Sequence, residues 1–88
     1  MRGKILMAAL MATAFGATAA LAGPTCTGKG EKLPEEKVQK MYEEKGIQIK
    51  KWKISSGGCY EIYGYENGEK VEIYIDPWTG EVVQKNVE

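Results

Sequence analysis

The sequence predicts an α+β fold: one helix packed on a small antiparallel sheet of three strands plus a short C-terminal strand. Two observations carry most of this expectation. Residues 34–45 are the one stretch past the N-terminal region with apolar side chains at helical spacing, Val38, Met41 and Tyr42 falling at i, i+3 and i+4. Residues 59–66 and 69–76 alternate apolar with polar and meet across Asn67 and Gly68. Asn-Gly between alternating runs is the strongest short-range hairpin signal, because both turn residues must take positive φ.

The helix has recognisable ends. Pro34 suits the first helical position, where a backbone N–H would be unpaired anyway. Glu35 and Glu36 then lie where the helix dipole favours negative charge. Lys45 and Gly46 supply a basic last turn and a glycine stop. From Ile47 the period changes toward two. Along residues 47–55, Ile47 and Ile49 share one parity and Trp52 and Ile54 the other. A bulge near Lys50 and Lys51 would return all four to one face.

The two-residue loop sets the register of the hairpin. Tyr60, Ile62, Val71, Ile73 and Ile75 share one face, expected to pack on the helix. Glu61, Tyr63, Tyr65, Lys70, Glu72 and Tyr74 share the other, expected to face water. Residues 76–81 form a second turn marked by Pro77 and Gly80. Val82 and Val83 suffice for a short final strand, and residues 85–88 are expected to fray.

Residues 1–22 carry the three parts of a secretion signal. Arg2 and Lys4 are basic, an apolar middle runs to Phe15, and Ala20, Leu21 and Ala22 place small residues at a cleavage site. The expected address is periplasmic or secreted, with no membrane attachment after cleavage. An uncleaved anchor is the main alternative, since residues 5–22 approach the ~18-residue lower limit of a spanning helix. A lipoprotein at Cys26 is disfavoured by Pro24 just ahead of it.

Removing the signal leaves residues 23–88, with ten basic against twelve acidic side chains, a net charge of −2. Such a balance gives no electrostatic footprint for nucleic acid. Residues 23–32 read as a polar extended arm containing Cys26. Cys26 and Cys59 are the only cysteines, and an oxidising compartment makes a disulfide between them the natural expectation. The chain has no histidine and no C-x-x-C, which argues against a zinc or redox pair.

Cys59, Tyr60, Glu61 and Ile62, then the Asn-Gly turn, then residues 71–77 and the Thr79, Gly80, Glu81 run resemble the PepSY domain family, over roughly residues 33–84. The match is strongest to small exported single-domain members. The resemblance implies a helix on a small antiparallel sheet, and a module that restrains a protease or binds another protein. No peptidase domain accompanies it here, so such a role would be exerted in trans.

No catalytic residues and no cofactor are expected, because nucleophilic chemistry would lack a histidine base. The candidate binding face is Glu61, Tyr63, Tyr65, Glu72 and Tyr74, with Trp78 in the adjoining turn. Tyrosine is enriched at interfaces, but aromatic cross-strand pairs also simply stabilise sheets. Trp78 is either a lid on the core or an exposed anchor. Lys50, Lys51 and Lys53 either meet an acidic partner or protect an edge strand. Glu61, Glu72 and Asp76 lack the one-loop spacing of a calcium site. The expected partner is an envelope protein, either a protease or a membrane sensor. The alternatives are a structural or stress-related envelope protein and a weak metal-binding protein.

Overall fold

The computed structural model describes residues 23–88. The proposed signal, residues 1–22, lies outside the described residues. One helix, α1 (Glu35–Glu44), precedes four strands: β1 (Ile47–Ile54), β2 (Tyr60–Glu66), β3 (Glu69–Ile75) and β4 (Val82–Val87). The strands form one antiparallel sheet in the order β1-β2-β3-β4, each paired with its sequence neighbour. The expected α+β architecture is therefore present. Among the described residues, no helix is long and apolar enough to cross a membrane.

The helix starts one residue later than the proline rule suggests. Pro34 has an extended ψ of 138° and stands outside as the cap, while its carbonyl accepts the first helical bond from Val38 N–H at 3.2 Å. Lys45 likewise stands just past the last turn as the C-cap, and Gly46 follows at φ 99°. Positive φ lets the chain reverse there without a Cβ clash. Val38 and Tyr42 are buried against the sheet, with Met41 beside them. The Tyr42 hydroxyl donates to Gly80 O at 2.6 Å, so the buried phenol is satisfied. Trp52 donates through its indole to Glu35 at 2.7 Å, tying the first turn of α1 to β1.

The main core lies between α1 and one sheet face. Tyr60, Ile62, Val71, Ile73 and Ile75 are all buried there, as the alternation predicts. Ile47 joins them, with Ile49 and Trp52 packed alongside. Ile49 and Trp52 can both face the core because the β1–β2 register shifts between Ile49 and Lys51. Lys50 is the extra residue of that bulge, where the parity break in the sequence placed it.

The C-terminus differs from expectation. β4 is six residues long, and Val87 pairs with Val71. Glu88 N–H still donates to Lys70 O at 2.9 Å. The 85–88 segment expected to fray is thus held in the sheet. Three of its four residues are polar, and the open edge of β3 supplies the hydrogen bonds that the local sequence does not advertise.

The arm is also part of the fold. Cys26 bonds Cys59 at the start of β2, with a Cα–Cα separation of 5.0 Å. Cys26 N–H donates to Gly57 O at 2.9 Å, and Leu33 N–H donates to Pro77 O at 2.7 Å. A Cβ at Gly57 would collide with the Pro24 carbonyl oxygen. Glycine at this turn lets the arm lie directly against it.

Candidate functional site

The sheet face turned away from α1 carries the residues the alternation singled out. The pairing registers arrange them in rows across the strands. Lys53, Glu61, Tyr74 and Gln84 form one row; Lys51, Tyr63, Glu72 and Asn86 form the next. Tyr65 and Lys70 lie across from each other beyond these. All the nominated face residues are therefore neighbours, but they do not share one environment.

Glu61 and Tyr74 correct the expectation of an open face. Glu61 is only 2% exposed and Tyr74 only 8%. Tyr74 belongs to a second small core with Cys26 and Cys59, against which Trp78 packs. Gly23 lies over the Tyr74 ring, where a Cβ would sit 3.0 Å from the phenol oxygen. The physical reason is the disulfide, which draws the arm across this end of the outer face. Trp78 is a lid, but on the arm: it covers Gly28 and its indole donates to Gly30 O at 3.1 Å.

The carboxyls of Glu61 and Glu72 form the polar centre of the face. Glu72 accepts from the Tyr74 hydroxyl at 2.9 Å and from the Asn86 amide at 3.2 Å. Glu61 has a distant ion pair with Lys53, 3.9 Å, and its Oε2 is buried without a hydrogen-bond partner. Two carboxylates offer no donor between them, whereas a proton on Glu61 lets it donate to Glu72. Burial first, then the neighbouring Glu72 carboxyl, raise the Glu61 pKa. The adjoining Glu61 carboxyl chiefly lowers that of Glu72, with Asn86 and Tyr74 adding to it. Burial and mutual proximity therefore move the two carboxyls apart, Glu61 upward and Glu72 downward. The adjoining Glu61 carboxyl and burial push the Tyr63 phenol up, and burial with the Glu72 contact does the same to Tyr74.

Around this centre the accessible groups are aromatic and basic. Tyr63 is half-buried, with Lys51 5.7 Å and Lys53 5.9 Å from its ring centroid. Tyr65 is 37% exposed. Lys70 pairs loosely with Glu88 at 3.9 Å. Asn86 was not among the nominated binding residues, and Lys51 and Lys53 were weighed apart from the face, as contacts for an acidic partner or guards of an edge strand. The alternation does not foretell Asn86, because it sits in the tail expected to fray.

Other possible sites are poorer. Asp76 stands apart from the carboxyl pair and organises its own turn, accepting from Trp78 N–H at 2.8 Å and Thr79 N–H at 3.3 Å. Among the described residues no three histidine, cysteine or acidic side chains converge to hold a metal ion. A cavity of about 150 Å³ opens between the end of α1 and β4, lined by Tyr42, Lys45, Ile73 and Val82 among others. Small-molecule sites usually enclose about 300–1,000 Å³.

Fold and site together define a small disulfide-stapled α+β module that offers a sheet face rather than a cleft. The chain belongs to the family described as peptidase propeptide and YPEB domain, whose match runs over residues 6–86. Comparison with curated proteins and with solved structures finds no match to this chain.

Proposed function

We propose that the protein is an exported, non-catalytic protein-binding module that contacts its partner through the outer sheet face around Tyr63 and Tyr65. The observation that carries this reading is the exposed Tyr65 beside the half-buried Tyr63 on a sheet backed by a packed core and held by a disulfide. Rigid aromatic side chains offer contact area at small entropic cost. The peptidase-propeptide character of the family favours a protease as the partner, restrained in trans, with a membrane sensor as the second candidate. Export through residues 1–22 belongs to the same proposal.

The decisive variant is Tyr63→Ser with Tyr65→Ser. Tyr74 is left intact, because its burial against the disulfide makes a serine there a folding defect. A partner protein captured from the envelope by the wild type is expected to be lost by the double variant, with the circular dichroism spectrum unchanged. Equal capture by both would reject this face. Mass spectrometry of the exported protein tests the address, with Gly23 expected as the first residue.

A further inference from the structure

Charge on this molecule is sorted by element. The described residues carry a net negative charge, yet β1 holds Lys50, Lys51 and Lys53 and no acidic residue. All three lysines are exposed. Among the described residues neither Lys50 nor Lys51 forms an ion pair, and Lys53 reaches only Glu61, at 3.9 Å. The ammonium groups are also placed: Lys51 and Lys53 flank the Tyr63 ring within cation–π range. Two residues of strand separate them by about 6.6 Å along the chain.

We propose that the outer face beside β1 receives an acidic segment of the partner protein, its carboxylates reaching Lys51 and Lys53 while its apolar atoms rest on Tyr63 and Tyr65. The inference rests on the protein-binding reading and names the chemistry of the partner. Charge complementarity selects an acidic occupant, because an exposed basic stripe with a single loose ion pair repels a basic partner and steers an acidic one. A lipid surface fits less well, since membrane-surface elements put apolar side chains beside the basic ones. The exposed valines, Val82, Val83 and Val87, lie on β4 at the opposite edge of the sheet, and the exposed Ile54 of β1 pairs with Tyr60 on the α1 face, away from Lys51 and Lys53. Addition of a strand to the free edge of β1 is opposed by the bulge at Lys50.

The test uses two labelled peptides, one alternating Glu with Val and one alternating Lys with Val, titrated against the purified protein by fluorescence anisotropy. The Glu peptide is expected to bind and to weaken with added salt, and the Lys peptide to fail. Lys51→Glu with Lys53→Glu is expected to weaken the Glu peptide about tenfold and to bring in the Lys peptide. Lys51→Gln with Lys53→Gln, at exposed positions, is the folding control and is expected to weaken the Glu peptide without admitting the Lys peptide.

Unchanged affinity for the Glu peptide in the charge-reversed protein would overturn the proposal. So would binding of phosphatidylglycerol vesicles in place of the peptide, or a dimer in sedimentation that the reversal abolishes. Envelope capture separates this inference from the reading beneath it. Capture lost by the tyrosine variant but kept by the charge-reversed one rejects the acidic segment and keeps the binding face. Capture kept by both rejects the two together.

Discussion

Glu61 is the residue whose position and environment most disagree. Its parity places it on the outer face, opposite Tyr74 and Lys53, and the strand registers keep it there. Its burial comes from its neighbours, which no period-two pattern encodes. A carboxyl buried with one oxygen unpartnered lowers stability whenever it is ionised. Because its folded pKa lies above the ordinary 4.5, the folded protein binds more protons than the unfolded chain just above that value. Stability is therefore expected to fall as pH rises from about 4.5 through the folded value of Glu61. Glu72 acts in the opposite sense, its contribution lost as pH falls below its ordinary value. Glu61→Gln places an amide donor beside Glu72. It is expected to raise stability at neutral pH by about 1–2 kcal/mol and to flatten the profile above about pH 5. Urea unfolding of both proteins across that range checks this; a parallel pair of profiles would mean Glu61 is ionised throughout.

At the scale of elements, the hairpin was legible residue by residue. Asn67 and Gly68 take φ 53° and 81°, and the two-residue loop produces the register from Tyr60–Ile75 to Glu66–Glu69. Gly68→Ala forces a Cβ into the left-handed region and is expected to cost about 1 kcal/mol, read as a lower urea midpoint with an unchanged slope. The bulge at Lys50 was legible for a similar reason, since the apolar parity must be restored wherever one face is buried. β4 was legible only at its start. Gln84, Lys85 and Asn86 have no strand signature of their own, and their pairing depends on the free edge of β3. Lys85 further anchors the strand through an ion pair with Glu66. The family kinship implied by the strand and turn residues held over nearly the whole chain.

For the whole molecule, two cores share one sheet. The larger lies under α1; the smaller lies on the other face, where the arm, the disulfide, Tyr74 and Trp78 meet. Cys26 and Cys59 are 33 residues apart, and closing such a loop is worth about 3–4 kcal/mol in the chain-entropy model. Cys26→Ser with Cys59→Ser is expected to lose a comparable amount in urea unfolding. It should also free the arm, so that Tyr74 becomes reactive to tetranitromethane under native conditions. Retained protection of Tyr74 would show that the arm is held by its backbone bonds alone.

The sequence by itself determined the helix, the hairpin and its register, the bulge and the cysteine pairing. These follow from local periodicity, from turn chemistry, or from there being only two thiols. Only the tertiary structure decided which outer-face residues a partner can reach. The arm covers Tyr74 from a distant part of the chain, and Glu61 sinks among its cross-strand neighbours. Tyr63, Tyr65 and the β1 lysines are left as the accessible surface. Alternation specifies which face a side chain occupies; whether that face stays open depends on what else folds onto it, and that is a long-range property.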